Sequence, residues 1–292
     1  MEDSEKIRQV RRVTVAGMVV NVCLAAAKAV AGWLCSSHAL VADAVHSLSD
    51  LVTDAAVVLG VKFWVAPADD AHPYGHGKIE ALVTLFISFA LALVAYELGA
   101  AAVGRLVSGN AAARPGLAAC AVAVASVVLK EFLFVWTRRV AHRVKSTALE
   151  ANAWHHRSDA FSSMPVALAV GLSWLVPSLA WTDSAGALLV AAFILRVSWQ
   201  LAKPALQELV DADIDSKAAA VVSVAEKVPG VRGVHKARAR RYGGLFQVDL
   251  HVQVDPSLSV AEGHAIGHAV KEAVCAAGLD VNDAVVHVEP DV

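Results

Sequence analysis

Two four-residue steps stand inside long apolar runs of the sequence, His46-x-x-x-Asp50 and His155-x-x-x-Asp159. On a helix such a step puts both side chains on one face, about 6 Å apart along the axis. Ionisable groups at membrane depth are costly, and by default they mark a functional pathway. Brought face to face, the two steps offer two imidazoles and two carboxylates, a tetrahedral set for a divalent transition metal. This nitrogen–oxygen set suits Zn²⁺ and admits Fe²⁺, Mn²⁺, Co²⁺ or Cd²⁺. It argues against Cu⁺, which takes sulfur. The competing reading is that the four groups merely satisfy one another inside a sealed bundle. Two such steps on separate apolar segments weigh against it.

Two further clusters carry ligand chemistry. In the run Asp69-Asp70-Ala71-His72-Pro73-Tyr74-Gly75-His76-Gly77-Lys78, two histidines four apart follow an aspartate. Asp69, His72 and His76 can ligate a metal there, because Pro and Gly permit a tight turn. A solvated loop with incidental histidines is the alternative. Near the C-terminus stand His235, Asp249, His251, His264, His268, His287 and Glu289. His287 and Glu289, two apart, share a face of any strand that contains them. A polar sheet face accounts for the same residues without a metal.

The elements that must position these groups follow from composition. The chain has 292 residues, of which 57% are hydrophobic and 18% charged, with a formal net charge of -2. That balance gives no reason to expect a nucleic-acid partner, and none is expected. Four cysteines without a C-x-x-C pair give no disulfide framework or thiolate site. Six apolar segments, near residues 13–34, 39–65, 79–107, 115–136, 149–176 and 181–202, each approach or exceed the roughly 20 residues a spanning helix needs. The second and fifth hold the two steps. Glu97, Lys130 and Glu131, in the third and fourth, read as interfacial or snorkelling residues.

Basic residues orient the chain. Lys6, Arg8, Arg11 and Arg12 precede the first segment, and Arg138, Arg139, Arg143 and Lys145 follow the fourth. Only Arg105 and Arg114 lie in the longer loop on the other side. The positive-inside rule then places both termini in the cytoplasm. Beyond Lys203-Pro204, the pattern predicts a helix over 216–228, strands over 233–241 and 246–254 joined at Gly243-Gly244, a helix over 260–277 and a strand over 284–288. The expected fold is an α-helical membrane protein with six transmembrane helices plus a C-terminal cytoplasmic ferredoxin-like α+β domain. Residues 1–12 form a cytoplasmic arm, 13–203 the membrane domain and 204–292 the tail.

The segments Leu40-Val-Ala-Asp-Ala-Val-His46-Ser-Leu-Ser-Asp50, His72-Pro-Tyr-Gly-His76-Gly-Lys78 and His155-His-Arg-Ser-Asp159 resemble the cation diffusion facilitators, in the same order and across nearly the whole chain. The resemblance implies that His46, Asp50, His155 and Asp159 form the transport site, and Asp69, His72 and His76 a loop site. His235, His251, His264, His287 and Glu289 would form a tail site that joins two protomers. It also implies a homodimer that exchanges cytoplasmic metal for protons, with Lys78 and Asp211 in a charge interlock near the dimer interface. Some relatives carry Asp at the position of His46, a change that goes with altered metal choice. Glu289 stands where related bacterial members have Asp. The stretch around Pro229-Gly230 is similar to iron- and manganese-handling magnetosome relatives.

The function so implied is efflux of a divalent metal, Zn²⁺ first, by alternating access, from an integral protein of the bacterial inner membrane or an internal compartment. Zn²⁺ would be cargo and also a structural ion in the loop and tail. The partners are membrane lipid, protons, metal ions and a second copy of the chain. An iron or manganese transporter of the magnetosome type, a membrane metal sensor or scaffold, and a membrane metalloenzyme are the alternatives. The enzyme reading lacks a separate base or substrate pocket, so no enzymatic activity is expected.

Overall fold

The computed structural model describes residues 3–108, 115–144, 147–212 and 215–291. Arg114 and Lys145, two of the orienting charges, lie outside the described residues. Among the described residues six long helices run in order: α1 (Asp3–Leu34), α2 (His38–Trp64), α3 (Lys78–Ser108), α4 (Leu117–Val144), α5 (Thr147–Leu175) and α6 (Trp181–Leu209). Each contains one apolar segment, and several outrun it. α1 starts ahead of the apolar run, α4 continues past Trp136, and α6 continues through Pro204. Arg, Lys, Gln and Glu are good helix formers, so the backbone ladder continues where hydropathy stops. Among the described residues, four helices are long and apolar enough to cross a membrane: α1, α3, α4 and α6. The motif-bearing α2 and α5, of 27 and 29 residues, are not among them, and each includes side chains outside those described. In α5, Arg157, Ser158, Asp159, Ser162, Ser163 and Pro165 interrupt the apolar run.

The chain divides into two compact units, Met1–Ala56 with Ser88–Trp199, and Val57–Ile87 with Gln200–Val292. In the first, α4 and α5 pack antiparallel: Lys130, Glu131, Phe134 and His142 face Asp159, Arg157, Trp154 and Glu150. The buried cluster is alanine-rich, with Ala39, Ala42, Ala95, Ala119, Ala123 and Ala187 beside Leu40, Val166, Val170 and Ile194. Small residues let helices approach closely where lipid provides no hydrophobic drive between them. Gly186 marks one close approach, since a Cβ there would lie 2.7 Å from that of Ala169 and 3.1 Å from that of Ala39. Met18, Phe89, Phe132, Leu168 and Trp199 stay exposed, as expected of lipid-facing positions. Asp183 on α6 is fully buried. It accepts hydrogen bonds from Ser37 Oγ at 2.6 Å and the backbone N–H of His38 at 2.7 Å, and so caps the first turn of α2.

In the second unit the tail runs α7 (Asp215–Ala225), β1 (Gly233–Tyr242), β2 (Leu245–Val254), α8 (Val260–Ala276) and β3 (Val281–Pro290). This is the predicted helix–strand–strand–helix–strand order. β1 pairs antiparallel with β2 through the positive-φ turn at Gly243-Gly244, and β3 pairs parallel with β2 after the α8 crossover. Alternation along β2 buries Phe246, Val248, Leu250, Val252 and Val254 in a core with Val221, Val270 and Val274. Gln247, Asp249, His251 and Gln253 alternate with them and remain only partly buried. A capping box between Ser259 and Glu262 starts α8. β3 is longer than the predicted 284–288 because pairing with β2 recruits Val281 and Asp283 at one end and Glu289 and Pro290 at the other, and Asp, Glu and Pro have little strand preference of their own.

Candidate metal centres

In the first unit, α2 presents His46 and Asp50 and α5 presents His155 and Asp159. His46 is buried, with its ring edge-on to Phe193 of α6 at 5.3 Å. Asp159 is buried, and its Oδ2 lies 3.9 Å from His155 Nε2 one turn earlier. Asp50 is in electrostatic reach of His46, His155 and Asp159. The four groups therefore share one locality without closing to a coordination sphere. Among the described residues, three ligand atoms come within 4.8 Å of one another in two other places, the loop and the tail. Asp43 and His46 also line a cavity of about 580 Å³ with Phe161, Ser162, Phe193 and Arg196.

Lysines complete this region. Lys130 is not interfacial, as its sequence context implied. It lies midway along α4, is 2% exposed, and places Nζ 3.4 Å from Asp159 Oδ2. The reason is helical phase: Ser126, Lys130 and Thr137 form a polar stripe on the buried face of α4. Glu131 is half exposed at the edge of the same helix contact, 3.9 Å from Arg157 Nε. Lys28 on α1, which the sequence reading passed over, is fully buried. Its Nζ lies 2.8 Å from Asp43 Oδ2 and donates to Ser47 Oγ at 3.2 Å and Ser163 Oγ at 3.3 Å, while Ser163 Oγ donates to Asp43 Oδ1 at 3.0 Å. This network joins α1, α2 and α5 within about a turn of His46 and Asp159. A lone lysine in an apolar run, with Asp43 three residues before His46, was its signal. His156 is also buried, and neither ring nitrogen has a hydrogen-bond partner among the described residues.

The loop of the second unit is organised by Asp69. Its Oδ1 accepts from the backbone N–H of Ala71 at 3.0 Å and of His72 at 2.7 Å, an Asx-type turn. His72 Nδ1 and His76 Nε2 stand 3.2 and 3.4 Å from the two Asp69 oxygens, with ring centroids 4.4 Å apart. The hydrogen bond from the His72 backbone, followed by that from its side chain and the neighbouring ring charges, holds the Asp69 carboxyl below its ordinary range. Gly77 N–H donates to Tyr242 Oη at 3.0 Å, and a Cβ at Gly77 would strike the Tyr242 ring at 2.7 Å. Next to it, Lys78 Nζ donates to Asp211 Oδ1 at 2.8 Å, and Arg240 lies 3.6 Å from the other oxygen.

The tail cluster is built by strand register. His235 pairs with His251 across β1 and β2, and His251 with His287 across β2 and β3, so the three rings form one cross-strand row. Glu289, two residues beyond His287, turns back into the row. Its Oε1 lies 2.9 Å from His235 Nε2, and its Oε2 lies 3.1 Å from His251 Nδ1 and 3.8 Å from His287 Nε2. The hydrogen bond with His251, and then the charges of His235 and His251, hold the Glu289 carboxyl below its ordinary range. His264 stands apart from this group. Its ring lies 4.7 Å from that of His268 on the exposed side of α8, and it shares a groove with Glu289. Asp249, by contrast, pairs with Arg238 along the ladder.

Residues 14–210 match the family described as the cation efflux transmembrane domain, and 215–291 match the cation efflux protein cytoplasmic domain. Metal tolerance protein C1 of Arabidopsis thaliana is 33% identical over 99% of this chain, which spans 63% of that protein. An uncharacterized transporter of Methanocaldococcus jannaschii is 34% identical over 91% of this chain and 93% of its own length. The magnetosome protein MamM of Paramagnetospirillum magneticum is 34% identical over 89% of this chain and 81% of its own length.

Proposed function

Because the chain belongs to the cation efflux family, we propose that it exports a divalent metal, Zn²⁺ by preference, from the cytoplasm in exchange for protons. The observation that carries this reading is the convergence of His46 and Asp50 on α2 with His155 and Asp159 on α5, within one bundle of long apolar helices. Metal enters between α2 and α5. The carboxylates neutralise its charge and the imidazoles supply nitrogen. Closing the site needs α2 and α5 to bring their ligand groups together, the kind of helix motion that alternating access uses. Binding requires neutral imidazole and ionised carboxylate, so it releases protons, and protons entering from the far side weaken it.

In this reading α2 and α5 are membrane-spanning helices like the other four. The protein is a homodimer of the bacterial inner membrane with both termini in the cytoplasm. The loop and tail clusters take metal from that side and favour one arrangement of the dimer by their differential affinity. The alternative of an iron or manganese transporter of the magnetosome type puts Fe²⁺ and Mn²⁺ into the same assay.

The test is metal uptake by proteoliposomes under an imposed pH gradient, screened over Zn²⁺, Mn²⁺, Fe²⁺, Co²⁺ and Cd²⁺. Flux should follow the gradient and fall to the liposome background in Asp159→Ala. Gradient-independent behaviour for every metal, in protein that remains folded, overturns the exchange mechanism.

A further inference from the structure

We propose that Lys130 is a tethered counter-cation of the transport site: its ammonium shares Asp159 with the incoming metal, swings toward Ser126 when the metal binds, and returns to help expel it. This rests on the transport-site reading above.

Burial and charge carry the inference. Lys130 sits mid-helix with 2% exposure, so its charge cannot reach water at either end of α4. Its contact with Asp159, at 3.4 Å, is looser than the roughly 2.8 Å of a charge-assisted hydrogen bond. Lys28 makes the contrast. It is held by a carboxylate and two serine hydroxyls at once, which is a fixed joint. Lys130 has an alternative resting place as well. Helical side chains lean toward the N-terminus, which for Lys130 is the direction of Ser126 one turn away. Ser126 Oγ is buried and has no hydrogen-bond partner among the described residues.

Charge counting then sets the effect. Asp50 and Asp159 together match a divalent ion. With Lys130 beside them the site carries one net negative charge, and a bound divalent ion leaves it one positive. Charges of +2 and +1 fixed a few ångströms apart, at an effective dielectric of about 20, would weaken binding by several powers of ten. A lysine free to swing reduces that penalty to about 10- to 100-fold. A counter-cation that weakens binding also shortens residence, so Lys130 sets how readily the ion leaves.

The experiment is Zn²⁺ flux through reconstituted full-length protein carrying Lys130→Gln, Lys130→Met, Lys130→Arg or Asp159→Ala. Either neutral variant is expected to lower the KM for Zn²⁺ about 10- to 100-fold and to lower the maximal rate with it. Lys130→Arg keeps the charge and grips the carboxylate through a planar fork, so its KM should stay at or above that of the parent. A merely structural lysine would not split KM from rate in this way. An unchanged or raised KM in a folded neutral variant overturns the proposal. Should neither neutral variant fold, a KM for Lys130→Arg below that of the parent overturns it equally. Persistent flux in Asp159→Ala would instead sink the transport-site reading itself.

Discussion

Glu289 shows how far a single side chain can organise a site. It reaches three histidines on three strands, and its carboxyl and that of Asp69 in the loop are both held below their ordinary values. A carboxyl with a depressed folded pKa contributes stability above its unfolded value, about 4.3 for Glu and 3.9 for Asp. That contribution is lost only as pH falls through the lower folded value. An imidazole must be neutral to bind metal, and a free histidine takes up its proton near about 6.5. Acid should therefore strip metal from the loop and tail between about pH 7 and 5.5, with the backbone fold persisting until below about pH 4. Metal release and far-UV circular dichroism followed in one titration check this, and coincident transitions would contradict it. The clustered histidines were legible as residue types at suggestive spacings. The roles of Lys28 and Lys130 were not, because hydropathy locates a charge along a helix but not around it. Lys130 declares its buried face only through its phase with Ser126 and Thr137.

Apolar periodicity placed every helix and strand of the tail to within a few residues, yet it could not place their side chains against one another. The row His235, His251, His287 exists because of pairing register, which sequence distance does not encode. The same register separates His264, on α8, from the row that sequence reasoning had grouped it with. β1 also has a task invisible in its sequence. One end carries His235 into the tail cluster, and the other carries Tyr242 against Gly77, the residue after His76. Tyr242→Phe removes the acceptor for that N–H and leaves the ring in place. The expected result is about fivefold weaker metal binding at the loop, the equivalent of one hydrogen bond of about 1 kcal/mol, with the tail unchanged. Titrations of Tyr242→Phe with the tail blocked by His251→Ala, and with the loop blocked by His72→Ala, separate the two sites. Equal weakening at both would mean that the substitution disturbs β1 as a whole.

The whole chain poses a topological question: among the described residues four helices are apolar enough to cross a membrane, and the two His-x-x-x-Asp steps stand on the other two. If only α1, α3, α4 and α6 crossed, Arg8, Arg11 and Arg12 would lie on one side and Arg138, Arg139 and Arg143 on the other. With α2 and α5 crossing too, both groups fall on the same side, as the positive-inside rule requires. Six crossings also bury Asp43, Asp50 and Asp159 among helices, where Lys28 and Lys130 compensate two of them, rather than against lipid. The two topologies differ at Tyr74, which is 75% exposed in the loop between α2 and α3. Six spans put it on the side of the N-terminus, and four put it opposite. A single Tyr74→Cys, in a chain whose four native cysteines are replaced by alanine, decides between them. In inverted vesicles, with the cytoplasmic face outward, a membrane-impermeant maleimide should label it almost fully, and in intact cells barely at all. Labelling from the outer face would place the Asp69–His72–His76 loop beyond the reach of cytoplasmic metal.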